Sequence, residues 1–206
     1  IKITTLKFIS SESLWQLQPD VVVPALRELT VCTLLRRTSG TDWTGFVYKA
    51  PEGRKTELGL VGTNTNVTVR LFGLDFHFPK ELTVDEWYSV CLTWSCQTRW
   101  LRVYVNETGL GEEQLNATTA RELARNGTLT LGVSHYVTRN GVKPESNTNL
   151  VGDIDLFRMW GREWSAEELR ELSCADGDVL SWDLRHLKHD NCAANCKDSC
   201  TYIRCV

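Results

Sequence analysis

The chain has 206 residues, of which 42% are hydrophobic, and its formal net charge at pH 7 is −3. All-β sandwiches commonly reach roughly 200–250 residues as one domain, so we expect one buried core. The acidic balance and the lack of any Lys/Arg-rich block exclude the usual electrostatic basis for binding nucleic acid. No apolar run approaches the ~18 residues that span a bilayer, so we expect membrane attachment only through an anchor outside this segment.

Short strands separated by turn residues dominate the chain. Seven segments are rich in Val, Leu, Thr and aromatic residues, with Gly, Asn or Pro between them, which is typical of strands. The predicted strands are 29–37, 43–50, 56–62, 66–73, 86–95, 99–106 and 127–133. In the fifth of these, Tyr88, Val90, Leu92 and Trp94 form one apolar face, as a two-layer sandwich requires.

The stretch "LVGDIDLFRMW" (150–160) predicts a further strand in which Asp153 and Asp155 share one face, roughly 7 Å apart. Such a pair can act as acid and base, bind calcium, or tie a strand to its loops. A helix is predicted directly afterwards, over 165–172, because Ser165 and Glu168 form a capping box. We expect this helix to pack on one outer face of the sandwich.

Cysteines and glycosylation motifs indicate an extracellular protein. An even number of cysteines fits a disulfide framework in an oxidising compartment, and Asn-x-Thr motifs accept glycans only on the surface of secreted chains. The cysteines are Cys32, Cys91, Cys96, Cys174, Cys192, Cys196, Cys200 and Cys205, and the sequons lie at Asn66, Asn106, Asn116 and Asn126. We expect a domain over 1–190 and a cysteine-rich tail over 191–206 that disulfides tether to it.

The segment "VCLTWS" (90–95) resembles the signature of the pentraxins, with Cys91, Thr93 and Trp94 in the matching positions. It departs from the signature at Ser89, where the family has histidine, and at Cys96, where it has Ser or Thr. Three other segments match in order across about residues 5–190: "LTVC" (29–32), "LVGDIDLFRMW" with "SAEEL" after it, and "VLSWDLRHLKHD" (179–190).

The resemblance implies an all-β fold: a concanavalin A-like jelly roll of two antiparallel sheets, akin to legume lectins and LNS domains. It also implies a Cys32–Cys91 disulfide, which would stabilise the fold by on the order of 4 kcal/mol in the chain-entropy model. Of the other cysteines, we favour a Cys174–Cys205 bridge, and Cys96 would pair with one of Cys192, Cys196 or Cys200. The extra tail cysteines are similar to those of pentraxin-like domains in adhesion G-protein-coupled receptors.

The resemblance further implies a double calcium site, but its ligands do not carry over to this sequence. The family's acidic run falls on Ser134, His135 and Tyr136, its Asp-Asn pair on Lys55 and Thr56, and two further ligands on Glu145 and Thr148. Calcium needs six to eight oxygen ligands, and one carboxylate beside a lysine cannot offset the dehydration of the ion. We therefore expect no pentraxin-type calcium site, no metal and no cofactor.

A glycoside hydrolase active site and a zinc site are also disfavoured. Jelly rolls related to laminarinases use Glu-x-Asp-x-x-Glu for retaining hydrolysis, whereas Phe157 and Arg158 follow Asp155 here, so no residue is predicted to be catalytic. We expect Asp153 to hydrogen-bond the backbone of a neighbouring loop instead. "HLKHDNC" with Cys-x3-Cys-x3-Cys suggests zinc, but structural zinc sites have closer cysteine pairs, and disulfides are favoured.

These observations favour a non-enzymatic, glycosylated adhesion module in the ectodomain of a larger signalling receptor. Its partner would be a matrix or cell-surface protein, a glycan-bearing molecule, or a second copy in a homodimer. The alternatives are a secreted, oligomeric pentraxin-like pattern-recognition protein and a lectin-fold protein that binds or cleaves glycans. Because glycans at Asn106, Asn116 and Asn126 would cover their surroundings, we expect the binding face away from 106–126.

Overall fold

The computed structural model describes residues 3–8, 14–52, 54–171, 175–190 and 199–201. Within these ranges the chain is almost entirely β, and its two large antiparallel sheets with one short helix confirm the predicted jelly roll. The polar and apolar alternation along the strands explains this arrangement, because each sheet buries one face against the other.

The first sheet has seven strands in the order β10-β9-β8-β3-β14-β1-β16. These strands are β1 (Ile3–Phe8), β3 (Glu28–Ser39), β8 (Trp87–Ser95), β9 (Trp100–Val105), β10 (Thr108–Gln114), β14 (Val151–Trp160) and β16 (Ser199–Thr201). The edge strand β16 comes from the cysteine-rich tail and pairs with β1, with Cys200 opposite Thr4. Part of the tail therefore joins the sheet through its backbone, while the division at residue 190 stays a prediction.

The second sheet also has seven strands, in the order β15-β2-β11-β4-β5-β6-β7. They are β2 (Leu14–Leu17), β4 (Trp43–Lys49), β5 (Thr56–Gly62), β6 (Asn66–Leu71), β7 (Leu74–Pro79), β11 (Thr128–Leu131) and β15 (Leu187–Asp190). A separate hairpin, β12 (His135–Thr138) with β13 (Gly141–Pro144), follows β11 and belongs to neither sheet. We call it the β12–β13 hairpin.

The core lies between the two sheets, where alternate residues of each strand meet. The predicted apolar face of β8 is confirmed, since Tyr88, Val90, Leu92 and Trp94 are all buried. Each such side chain contributes roughly 1.5–3 kcal/mol through its removal from water. Because a shift of one residue would expose the whole face, this burial also fixes the strand register.

A smaller apolar cluster covers the outer face of the first sheet. The helix α1 (Ala166–Glu171) begins at the predicted capping box, in which Ser165 and Glu168 donate backbone N–H groups to each other's side chains at 2.8 and 3.2 Å. Its buried Leu169 packs with Trp160, Trp164, Tyr104 and Cys32. The helix therefore lies on an outer face, as expected, and covers the Cys32–Cys91 disulfide.

The close approach of β14 to β3 leaves no room for a side chain at Gly152, where a Cβ atom would overlap the carbonyl oxygen of Arg36. We expect Gly152→Ala to lower the free energy of unfolding by about 2 kcal/mol or more, because the obstacle is backbone. Gly109→Ala is the matched control, since a Cβ there meets nothing within 4 Å. Chemical denaturation measures both variants, and equal losses would contradict this account.

Candidate functional site

A groove of about 940 Å³ lies at the β15 end of the second sheet. Its lining comes from residues 14, 16–19, 21, 22, 126–129, 140–144, 188 and 189. Strands β2, β11 and β15 supply Gln16, Thr128 and Lys188, and the β12–β13 hairpin supplies Val142 and Lys143. The volume falls in the range of roughly 300–1,000 Å³ that is typical of ligand sites.

The β12–β13 hairpin forms because a short turn is followed by a glycine in a left-handed conformation. Gly141 has φ +101°, after the turn at Arg139 and Asn140. This matches a type I turn with a glycine bulge. This hairpin is not among the strands predicted above, although Asn140-Gly141 between β-branched residues is a hairpin signal.

The groove is positively charged although the chain as a whole is acidic. Lys143 and Lys188 line it, no carboxylate is among its described lining residues, and neither lysine forms an ion pair with a described side chain. Amide side chains from Gln16, Gln18 and Asn140 add hydrogen-bonding groups. The arrangement favours an anionic ligand with hydrogen-bonding groups of its own.

Exposed apolar side chains concentrate around the same groove. In the described part of the chain five large hydrophobic side chains are exposed, and three of them are Val22 in the groove and Tyr136 and Val137 on the β12–β13 hairpin. Tyr136 is 51% exposed and Val137 is 56% exposed. A protruding aromatic residue beside an aliphatic one is a common anchor for a protein partner.

Three of the positions that align with pentraxin calcium ligands meet at the base of this hairpin, where they hold it closed. Ser134 Oγ donates to the Glu145 carboxylate at 2.8 Å, and Thr148 Oγ1 donates to the Glu145 carbonyl oxygen at 2.8 Å. Lys49 Nζ donates to the carbonyl oxygen of His135 at 2.5 Å. In the described residues there is no group of three or more His, Cys, Asp and Glu side chains that could hold a metal ion.

The buried His135 side chain stays neutral at physiological pH. Its Nδ1 lies 2.7 Å from Thr130 Oγ1. Burial lowers the pKa of His135 to about 4, with a further contribution from Lys49. Two further aligned positions lie near Gly73: the Gly73 N–H donates to the Thr56 carbonyl oxygen at 2.8 Å, and the Lys55 side chain lies beside Gly73.

Asp153 and Asp155 lie on β14, outside the groove, and each has its own structural partner. Asp153 accepts from Arg36 Nε and Nη2 at 2.9 and 2.6 Å. The expectation that Asp153 bonds loop backbone is therefore wrong, because a guanidinium on the neighbouring strand reaches it. Asp155 accepts from Thr5 Oγ1 and from the Leu156 N–H, both at 2.8 Å.

Arg158 occupies the place where a third acid would stand in a laminarinase-like strand. Its Nη1 donates to the Ala175 carbonyl oxygen at 3.0 Å, and its guanidinium lies 5.2 Å from the Trp160 ring centroid. Burial lowers the pKa of Arg158 to about 10, so the group stays positively charged. This cluster therefore ties strands and loops together, and a cation stands at the position of the third acid.

The predicted Cys32–Cys91 disulfide is present and joins neighbouring positions of β3 and β8. Cys96 is half-buried and has no disulfide partner among the described residues. Cys174, Cys192, Cys196 and Cys205 lie outside the described residues, and the backbone alone is described for Cys200. The pairings proposed for these cysteines stay predictions.

The four sequons all lie at least partly on the surface. Asn106, Asn116 and Asn126 are exposed and Asn66 is half-buried. Asn126 lines the groove. The expectation that the binding face lies away from 106–126 stays a prediction. Separately, no helix among the described residues is long and apolar enough to cross a membrane.

Comparison with known proteins places this geometry among lectin-like folds. A family model for the concanavalin A-like lectin/glucanases superfamily matches residues 12–170. A sequence search of curated proteins finds no match.

Solved structures show the same fold. The native heptameric SAP-like pentraxin from Limulus polyphemus is 16% identical with a TM-score of 0.76, and the match covers 92% of each chain. The full extracellular region of zebrafish Gpr126/Adgrg6 is 20% identical with a TM-score of 0.74, over 96% of this chain and 26% of that one. The CBM40 of a Ruminococcus gnavus IT-sialidase, bound to α2,3-sialyllactose, is 15% identical with a TM-score of 0.53, over 70% of this chain and 81% of that one.

We expect Asp155 to make stability depend on pH. Burial raises its pKa from 3.8 to about 6, so between these values the folded state binds more protons than the unfolded chain. The contribution of Asp155 to the free energy of unfolding therefore falls as pH rises from 4 to 6 and does not recover above 6, by at most about 3 kcal/mol. Asp155→Asn should be more stable than wild type at pH 7.5 and lose that advantage at pH 4.5.

Denaturant titrations at the two pH values measure this difference. Asp153→Asn is the control, because it weakens the ion pair with Arg36 and should destabilise the protein at pH 7.5. A wild-type protein that is more stable than Asp155→Asn at pH 7.5 would contradict the assignment.

Calcium should bind no more tightly than about 0.1 mM, because Glu145 is the one carboxylate among the aligned ligand positions and Ser134 already bonds it. Isothermal titration calorimetry with calcium chloride measures the affinity. A tighter site that disappears in Glu145→Gln would show that the hairpin base does hold calcium.

Proposed function

The chain belongs to the concanavalin A-like lectin/glucanases superfamily, and on that premise we propose that it is a non-enzymatic, extracellular ligand-binding module of a larger receptor. In this proposal the groove binds an acidic segment of a matrix or cell-surface protein. The observation that carries the proposal is a pair of lysines, Lys143 and Lys188, that have no ion-pair partner among the described side chains and lie in a groove whose described lining has no carboxylate.

Electrostatic attraction and apolar contacts would contribute to binding in different ways. Lys143 is exposed and Lys188 is half-buried, so their attraction acts over a screening distance of ~8 Å at physiological ionic strength. This attraction mainly speeds the encounter of the ligand with the groove and orients the ligand there, and it adds less to the affinity. Tyr136, which lies on the same face of the hairpin as Lys143, can be buried by the partner, and aromatic anchors of this kind supply much of the binding free energy.

The non-enzymatic part of the proposal rests on the acidic residues. Asp153 and Asp155 are held by Arg36 and Thr5, on a strand that does not line the groove. Retaining hydrolysis needs two carboxyl groups roughly 5.5 Å apart on either side of a bound sugar, and neither aspartate faces the groove.

The proposal that the chain is part of a receptor is supported by how much of zebrafish Gpr126/Adgrg6 it matches. The chain covers about a quarter of that extracellular region, as one module of a longer ectodomain would. The Cys32–Cys91 disulfide and the four sequons are consistent with an extracellular position. A secreted oligomer is the alternative, and the heptameric Limulus pentraxin is an example of such an assembly with a similar fold.

Glycan binding is a second candidate function, and the amide side chains of the groove favour it. Gln16, Gln18, Asn126 and Asn140 line the groove together with the hydroxyl of Thr128. Amides and hydroxyls pair well with sugar hydroxyls, and a lysine can pair with the carboxylate of an acidic sugar. The CBM40 with sialyllactose shows that a similar fold binds such a sugar.

Charge reversal in the groove tests the proposal. We expect Lys143→Glu with Lys188→Glu to weaken binding of a decaglutamate peptide about tenfold or more, and to abolish its salt dependence, because both groove cations are lost. Surface plasmon resonance at two salt concentrations measures this, with α2,3-sialyllactose as a second probe for the glycan alternative.

The matched control is Lys7→Glu with Arg170→Glu, which changes the net charge equally at two exposed positions outside the groove. Equal losses in the two double variants would mean that net charge, and not the groove, determines binding. Binding of sialyllactose but not of the peptide would replace the first candidate function by the second.

A further inference from the structure

The sequon Asn126-Gly127-Thr128 differs from the other three because all of its residues line the groove. Asn126 is exposed, and its carboxamide makes no hydrogen bond with a described residue. By contrast, Asn66 Nδ2 donates to Thr65 Oγ1 at 3.2 Å, and Asn106 Oδ1 accepts from the Ser89 N–H at 2.9 Å. Asn116 Oδ1 accepts from Thr118 Oγ1 at 2.8 Å.

The backbone around Asn126 is held firmly at the groove wall. The Asn126 N–H donates to the Val23 carbonyl oxygen at 3.0 Å. Tyr48 Oη donates to the Ala124 carbonyl oxygen at 2.6 Å and accepts from the Gly127 N–H at 2.8 Å. Burial raises the pKa of Tyr48 to about 12, so its hydroxyl keeps the proton that it donates.

The first sugar attached to Asn126 would therefore lie at a well-defined position beside the groove. Its hydroxyl and acetamido groups would find donors and acceptors on Gln18 and Asn140, and apolar contact on Val142. An attached glycan also loses less translational freedom on binding than a free ligand does, because its link to the chain raises its effective concentration.

We propose that an N-linked glycan on Asn126 lies in the groove and competes with the anionic ligand, so that modification of this sequon sets ligand affinity. The inference rests on the proposed function of the groove.

In the modification, Asn126 Nδ2 forms a bond to the anomeric carbon of an oligosaccharide carried on a lipid diphosphate. The anomeric carbon–oxygen bond of the donor breaks, the lipid diphosphate leaves, and one amide proton is released. The groove is then blocked by a covalent substituent at its wall.

Variants of Thr128 distinguish the effect of the glycan from the effect of changing the protein surface. Thr128→Ala removes the sequon, whereas Thr128→Ser keeps it, and Asn126→Gln removes the attachment atom by a second route. Asn116→Gln is the matched control, because it deletes a sequon that does not line the groove. Each is expressed in mammalian cells and mapped by glycopeptide mass spectrometry, where we expect Asn126 to be occupied in wild type and in Thr128→Ser.

Hydrogen–deuterium exchange then reports where the glycan lies. In wild type, Thr128→Ser and Asn116→Gln, amides in 14–18 and 140–144 should exchange several-fold more slowly than in Thr128→Ala and Asn126→Gln. An unmodified Asn126, or equal exchange in all five proteins, overturns the inference.

Binding of the decaglutamate peptide completes the test. We expect Thr128→Ala and Asn126→Gln to bind about tenfold more tightly than wild type, and Asn116→Gln to bind as wild type does. Equal affinity with and without the Asn126 glycan overturns the inference and leaves the proposed function intact. If no protein binds the peptide, the proposed acidic ligand is wrong, and the exchange result still decides whether the glycan lies in the groove.

Discussion

The antiparallel pairing of β14 with β3 is the interaction on which most of the described structure depends. These two strands approach so closely that Gly152 lies against the backbone of Arg36. The same approach brings Arg36 to Asp153 and lets Thr33 Oγ1 donate to the Asp155 carbonyl oxygen at 3.2 Å. Both aspartates have partners within the first sheet, whereas the groove lies at the second sheet beside the β12–β13 hairpin.

Most of the strands that bury a face were predicted from the sequence, although β1 and β2, whose Phe8 and Leu14 are buried, were not. β8 alternates clearly because Tyr88, Val90, Leu92 and Trp94 all enter the core. β10 and the β12–β13 hairpin lie largely exposed, so no such alternation marks them. In β7, Leu74, Phe76 and Phe78 do alternate with polar residues, and this signal was missed. The helix was predictable because its capping box is local, whereas the partner of Asp153 lies 117 residues away on another strand.

The groove illustrates a second limit of sequence reasoning. Its two lysines lie 45 residues apart (143 and 188) and meet only because β15 pairs with β2 at one edge of the second sheet, beside the β12–β13 hairpin. The positions that align with calcium ligands could be identified from the sequence. Their actual role could not, because Ser134 and Thr148 acquire it through hydrogen bonds that depend on the closed hairpin.

The residues packed against the Cys32–Cys91 disulfide affect how readily a thiol can reduce it. A thiolate that reduces a disulfide must reach one of its sulfur atoms, so the reaction rate depends on access. Trp160 and Trp164, with ring centroids 4.2 Å apart, pack with Leu169 of helix α1 over this region, and Cys32 is buried beneath them. Attack on Cys32 therefore requires the helix to detach, whereas Cys91 is half-buried, so the two cysteines of this cross-link differ in their access to a reductant.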